Sequence, residues 1–232
     1  SAPDDPEEFA AFVKDFVKEL VKRYGYQIVS TFRFRLGTEA DGPRYGPPFA
    51  NFTAPNPPFV ALNGRGGNFT SRKNGLDVYV ETYIAVSKAV KSVVPLAGFG
   101  PSNFASVGSS RDGIPDKNCA VCPYVLEFLK RIFKAGAPLD YLAASDYSHW
   151  DKNGFAPAQR MADAIWFLSY AHRMSGFKDT PIEVHEWGWA GWGKWQAAVG
   201  EMKWPMGVWG SSWGLSSLLW QRNAGCRRVY HW

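Results

Sequence analysis

The chain has 232 residues, of which 46% are hydrophobic and 20% charged, and a formal net charge of +5. This balance is that of a globular protein, and the length suits one domain over residues 1–232. The basic residues are scattered and no run approaches the ~20 apolar residues that cross a bilayer. The sequence therefore argues against nucleic-acid and membrane partners.

The first third of the chain predicts a helix, a strand and a long loop. Residues 6–24 have the apolar spacing of an amphipathic helix, with Asp5 at its start and Gly25 at its end. Residues 27–37, QIVSTFRFRLG, are rich in the residue types of strands. Residues 40–75 are punctuated by Gly, Pro and Asn, and a loop of that length inside a domain is usually functional.

Helices and strands then alternate to the end of the chain. The patterns predict helices over 76–93, 123–135, 157–175 and 207–223, and strands over 97–104, 139–147, 181–187 and 227–232. Regular alternation at this spacing is typical of βαβ units around a parallel sheet. The predicted fold class is α/β.

Polar and aromatic residues collect where these strands end. In parallel α/β folds, functional side chains gather at that edge, because the βα loops begin there. The residues at or just after the predicted strand ends are Thr38, Glu39, Asn103, Tyr147, His149, Glu186, Trp187, Trp189 and Trp232. Two of the five strand ends carry a glutamate.

Two facing carboxylates are what glycoside hydrolysis needs. One donates a proton to the leaving oxygen, and the other attacks the anomeric carbon or activates water. Tryptophan rings fit beside them because the C–H faces of sugars stack on indoles. The structural alternatives are a solvated or helix-capping glutamate and tryptophans buried in the core.

Other motifs give weaker signals. No HxH or HExxH spacing is present, so we predict no metal. The pair Cys119 and Cys122 has CxxC spacing without a second pair, which favours a local disulfide or two free thiols over redox chemistry. The sequons at Asn51 and Asn68 favour a secreted, glycosylated protein.

The order of motifs resembles a known enzyme group. The strand ends GTEAD, GFGPSNF, LDYLAASDYSH and IEVHEWG together are similar to those of clan A glycoside hydrolases. They look most like family 39, the β-xylosidase and α-iduronidase group. Glu39 stands at the position of the family's acid/base and Glu186 at that of its nucleophile. Thr38 replaces the usual Asn of the clan, and Ala40 the usual Pro.

The resemblance implies a (β/α)8 TIM barrel with a retaining mechanism and no cofactor. In its strand order this chain would supply strands 4 to 8, and the remaining barrel segment would come from elsewhere in the polypeptide or from another chain. We expect a secreted O-glycosyl hydrolase that acts on an oligo- or polysaccharide. The rival expectation is a non-catalytic carbohydrate-binding or structural module on the same scaffold.

Overall fold

The structure, a computed structural model, describes residues 5–39, 75–104, 121–148, 158–189 and 208–231. Helices and strands alternate along these ranges in the predicted order. They are α1 (Pro6–Tyr24), α2 (Tyr26–Val29), β1 (Arg33–Leu36), α3 (Gly75–Val93), β2 (Gly98–Pro101), α4 (Val121–Lys134), β3 (Leu142–Ser148), a 3₁₀ helix (Ala158–Ala162), α5 (Asp163–Ser175), β4 (Ile182–Trp189), α6 (Val208–Asn223) and β5 (Cys226–His231). The α/β class is therefore confirmed. The predicted loop over 40–75 lies almost wholly outside the described residues.

The first strand is shorter than the sequence predicts, because a helical turn takes its first half. The hydroxyl of Ser30 donates to the carbonyl of Gln27 at 2.7 Å, and that of Thr31 donates to Ile28 at 2.8 Å. Such local bonds compete with the ladder of a sheet and close the turn α2. The prediction of a strand from residue 27 was wrong, and β1 begins only at Arg33.

All described strand pairings are parallel. Strands β1 and β2 form one pair, and β3, β4 and β5 form a three-stranded sheet. A bridge between Phe104 and Ala144 connects the two sheets. The five described strands thus lie side by side in chain order as an open arc and not as a closed barrel.

The core lies between this arc and the helices that connect its strands. The ring of Tyr83 meets those of Phe99 and Phe128 edge to face, with centroids 5.3 and 5.1 Å apart. Edge-to-face contact suits the charge distribution of aromatic rings and adds to the free energy gained by burial. The rings join α3, β2 and α4 into one packed layer.

The two helices at the ends of the arc carry apolar side chains on outward faces. On α1, Phe12 is 67% exposed and Phe16 is 52% exposed, while Val17 on the opposite face is buried. On α6, Leu215 is 62% exposed and Leu219 is 55% exposed. A helix with apolar residues on both sides is typical of one that packs against neighbours on both sides. None of the described helices is long and apolar enough to cross a bilayer.

Gly100 lets the side chain of Tyr141, the residue just before β3, reach across β2 to β1. A Cβ atom at Gly100 would lie 2.5 Å from the ring of Tyr141. Tyr141 is buried there, and its hydroxyl donates to the carbonyl of Phe34 in β1 at 2.7 Å. The guanidinium of Arg33 lies 4.4 Å above the same ring. The absence of a side chain at Gly100 therefore gives Tyr141 the space in which it bonds to β1.

Gly100→Ala is expected to lower the free energy of unfolding by about 1–3 kcal/mol, because the new methyl group overlaps the Tyr141 ring. Gly98→Ala is the matched control, since its Cβ would meet the Arg33 side chain at 3.4 Å and the Phe32 carbonyl oxygen at 3.7 Å, which are ordinary contact distances. Urea denaturation of both variants gives the comparison. Equal midpoints for the two variants would show that Tyr141 does not depend on Gly100.

Candidate active site

Asn103 connects the two glutamates that the sequence singled out. Its backbone carbonyl accepts a hydrogen bond from the N–H of Glu39 at 3.1 Å. Its side-chain amide donates to Glu186 Oε1 at 2.9 Å and to Ser145 Oγ at 2.6 Å. Because a carboxylate can only accept, the Nδ2 atom must face Glu186. Asn103 is fully buried, so these bonds hold it in one position.

A bulge in β4 sets the direction of Glu186. Val184 pairs with Ala144 of β3, but the next pair is Glu186 with Ser145, so His185 has no counterpart. A bulge places one extra residue in a strand and re-aims the side chains after it. Without it, the residue opposite Ser145 would be His185, and Glu186 would point to the other face. The bulge therefore allows Glu186 to reach the amide of Asn103.

Glu39 has an unusual backbone conformation just beyond β1. Its φ is +49°, and Gly37 two residues earlier has φ +77°. A non-glycine residue with positive φ is uncommon, and such residues cluster at functional sites. The hydroxyl of the preceding Thr38 accepts a hydrogen bond from Arg35 Nη2 at 2.9 Å. Together with the bond from the Glu39 N–H to Asn103, this contact fixes the chain where it enters Glu39.

Tyr79 of α3 ties together the ends of the two strands that carry Glu39 and Asn103. Its hydroxyl donates to the carbonyl of Leu36 at 3.1 Å and accepts from the N–H of Ser102 at 2.7 Å. Leu36 is the last residue of β1, and Ser102 directly follows β2. One phenol thus sets the spacing of these strand ends.

Charged side chains occupy the interior of the arc below this site. Glu183 of β4 is 0% exposed, and its two carboxylate oxygens bond to Arg33 Nη2 of β1 and to His185 Nε2, the latter at 2.9 Å. A buried charge is costly unless it is paired and hydrogen-bonded, and here both oxygens have a partner. The Arg33–Glu183 pair spans two intervening strands and draws β1 towards β4.

Asp146 of β3 and Asp163, the first residue of α5, form a further pair of acidic residues. Burial and the neighbouring Asp163 carboxylate raise the pKa of Asp146 well above its usual range. Burial also raises the pKa of Asp163, from 3.8 to about 6. Asp146 Oδ2 is buried and has no hydrogen-bond partner among the described residues. Two carboxyl groups in one poorly hydrated region cannot both ionise easily, so the folded state favours the protonated form.

The structure does not describe every residue that the sequence singled out. His149, Trp232, Asn51 and Asn68 lie outside the described residues, as do Cys119 and Ala40. Tyr147 and Trp189 lie in β3 and β4, but their side chains are not among the described ones. Thr38 and Glu39 are half-buried at the end of β1, and Glu186 is half-buried in β4.

Trp187 does not have the exposed position that stacking against a sugar requires. It is only 4% exposed, and its ring packs against Trp213 of α6 with centroids 6.1 Å apart. Bulky indoles are usually buried, and this ring fills the space between the sheet and α6. Trp187 is therefore a core contact in this structure and not an exposed platform for a sugar.

Sequence reasoning missed the network of Arg33, Arg35 and Glu183. The alternating letters RFR and EVHE did carry a signal, since period-2 charges in a strand predict one charged face. The partners are 150 residues apart, so the sequence alone could not pair them.

Metal and thiol chemistry find no support in the described part of the chain. There, no three His, Cys, Asp or Glu side chains converge as metal ligands would. Cys226 is a buried free thiol, and burial raises its pKa to about 11. A thiol with a raised pKa is a poor nucleophile at neutral pH.

Comparison with solved structures finds glycosidases. No protein-family profile and no curated protein matches the sequence. A family 39 β-xylosidase from Caulobacter crescentus superposes with a TM-score of 0.64 at 14% identity, over 98% of this chain and 38% of that one. A monomeric β-xylosidase from Caulobacter crescentus CB15 gives 0.54 at 18%, over 81% and 32%. A family 44 endoglucanase from Clostridium thermocellum gives 0.56 at 16%, over 94% and 46%.

Asp163→Asn tests whether Asp163 is protonated more readily in the folded state. Because folding raises the pKa of Asp163 from 3.8 to about 6, its contribution to stability is present below pH 3.8 and is lost as the pH rises to about 6. The asparagine variant lacks this loss, so its stability relative to the wild type should rise between pH 4 and pH 7.

Urea denaturation at a series of pH values measures this difference. Asp179→Asn, which removes a carboxylate elsewhere, is the control. A difference between Asp163→Asn and the wild type that stays constant from pH 4 to pH 7 would contradict the assignment.

The chain spans less than half the length of each of the three glycosidases to which its structure is similar, the two β-xylosidases and the endoglucanase. At identities of 14–18% the likeness concerns the fold and not the chemistry. The resemblance to clan A glycosidases is thereby confirmed at the level of fold: the chain has the parallel β/α architecture of part of their barrel.

Proposed function

We propose that this chain is the part of a retaining O-glycosidase barrel that carries both catalytic carboxylates. Glu186 is the nucleophile and Glu39 is the acid/base. The chain supplies strands 4 to 8, in the order β1 to β5. Its partner is an oligo- or polysaccharide, and the protein is secreted and glycosylated at Asn51 and Asn68.

The observation that carries this proposal is the shared contact through Asn103. One buried residue bonds to the backbone of Glu39 and to the carboxylate of Glu186. Both glutamates therefore belong to the same edge of the sheet, where the strands of α/β enzymes carry their active sites. A retaining mechanism needs carboxyl groups about 5–5.5 Å apart.

The local contacts support different roles for the two glutamates. The amide of Asn103 lies 2.9 Å from Glu186 Oε1 and fixes the direction of that carboxyl group, as a nucleophile aimed at one atom requires. Glu39 lies three residues beyond the end of β1, in a backbone conformation with positive φ. An acid/base exchanges its proton with the leaving group and then with water, so it needs access to both.

Completion of the barrel is a further part of the proposal. An eight-stranded barrel needs three more strands between β5 and β1. The outward apolar faces of α1 and α6 lie at these two ends of the arc. We propose that three further β/α units, from another segment of the polypeptide or from another chain, cover them.

Intact-mass measurement of the active protein from its natural source tests this completion. The expected mass exceeds the 25.9 kDa of this chain, or a second polypeptide copurifies with it. A fully active species of 25.9 kDa would contradict the need for further strands.

Replacing each glutamate tests the catalytic assignment. Glu186→Gln should lower kcat on aryl glycosides at least about 1,000-fold, because no covalent intermediate can form. Glu39→Gln should slow substrates with poor leaving groups far more than substrates with good ones, since only the former need a proton. Glu19→Gln, on the exposed surface of α1, is the matched control.

The assay covers aryl xylosides and glucosides together with plant and algal polysaccharides. Full activity of Glu186→Gln would refute the nucleophile. Binding of oligosaccharides by the completed wild-type protein without any turnover would favour the non-catalytic carbohydrate-binding module instead.

A further inference from the structure

Two strands that are not neighbours touch through Arg35 and His185. Arg35 lies on β1 and His185 on β4, with β2 and β3 between them. Arg35 Nη1 lies 3.4 Å from His185 Nδ1, and Arg35 Nη2 donates to Thr38 Oγ1 at 2.9 Å. One guanidinium thus contacts both strand ends that carry the glutamates.

The contact fixes the tautomer of His185. A guanidinium only donates, so His185 Nδ1 must be the acceptor and carries no proton. The remaining ring proton is then on Nε2, which lies 2.9 Å from Glu183 Oε2 and donates to it. The buried carboxylate and the guanidinium are therefore both satisfied by one tautomer, the one with its ring proton on Nε2.

The orientation of His185 bears on the candidate site because His185 is the neighbour of Glu186. It is the extra residue of the β4 bulge and directly precedes Glu186. The Tyr141 ring lies 5.1 Å from the imidazole at a tilt of 43°, and the Tyr230 ring lies 5.4 Å from it and nearly perpendicular, so two aromatic rings hold the imidazole in place. The contacts that hold His185 therefore also hold the backbone that directly precedes Glu186.

Arg35 holds the chain before Glu39, as His185 holds the chain before Glu186. Thr38 directly precedes Glu39, whose backbone has the strained φ of +49°. The bond from Arg35 holds the Thr38 side chain towards the interior of the arc. Loss of that bond would free Glu39 to relax to an ordinary conformation.

We infer that Arg35 and His185 form a clamp that sets the relative position of Glu39 and Glu186 through Thr38 and the β4 bulge. They are positioning residues and do not touch the reacting atoms. The inference rests on the proposed function for its effect on catalysis, but the clamp itself is a property of the fold.

The first test needs no activity. In protein labelled with ¹⁵N-histidine, the imidazole shifts of His185, assigned with a His185→Gln variant, should show a neutral ring with the proton on Nε2 at neutral pH. A proton on Nδ1, or a charged ring, would overturn the clamp, because Arg35 could not then contact Nδ1.

The second test is a double-mutant cycle on aryl glycosides. Arg35→Ala and Thr38→Val should each lower kcat about 10-fold or more with little change in KM, because small misplacements of catalytic groups act on the transition state. Since both variants remove the same contact, the hydrogen bond from Arg35 to Thr38, the double variant should lose little more activity than either single variant. Arg35→Lys should not restore the rate, since an ammonium lacks the fork that spans both partners.

The control is Arg173→Ala, an exposed arginine of α5. Multiplying losses in the double variant, or full activity of Arg35→Ala, would overturn the clamp while leaving the glycosidase proposal intact. Absence of turnover in every form, with the expected His185 tautomer, would overturn the proposed function and leave the clamp standing.

Discussion

The structure depends on one buried charge, the carboxylate of Glu183. A carboxylate without water must find charged or hydrogen-bonding partners, and removing one of them leaves a costly unpaired group. Arg33 and His185 fill this need, each by a bond to one of the two carboxylate oxygens. Because Arg33 belongs to β1 and Glu183 to β4, the pair cannot form in a flat sheet. Satisfying the charge therefore curves the arc and brings distant strands together.

The candidate site follows from that curvature. Once β1 approaches β4, the ends of β1, β2 and β4 meet, and Asn103 can contact Glu39 and Glu186 together. The bulge at His185 then turns Glu186 to the same side. Tyr79 keeps the strand ends at their spacing. Each of these contacts is local, but they coincide only because the interior pair sets the shape.

Sequence patterns predicted the features that local physics decides. The cap of α1 follows from a short-range rule, and Asp5 indeed accepts hydrogen bonds from the N–H groups of Glu7 and Glu8. The order of helices and strands follows from periodicity in the same way. The start of β1 did not, because the hydroxyls of Ser30 and Thr31 favour a helical turn over the strand propensity around them.

The candidate site could be predicted only in part. The two glutamates and Asn103 stand at strand ends, which a pattern can find. The environment of Trp187 depends on how α6 packs against the sheet, and the partners of Arg35 lie 150 residues away or across a turn. Contacts of this kind arise from the folded shape, so no local pattern announces them.

The central claim is that Glu186 forms a covalent bond with a sugar. Incubating the active protein with 2-deoxy-2-fluoro glycosides that carry a good leaving group, followed by mass spectrometry of its peptides, tests this directly. The account predicts one sugar adduct per chain, on the peptide that contains Glu186. An adduct on another carboxylate, or none from a preparation that hydrolyses the matching aryl glycoside, would contradict it.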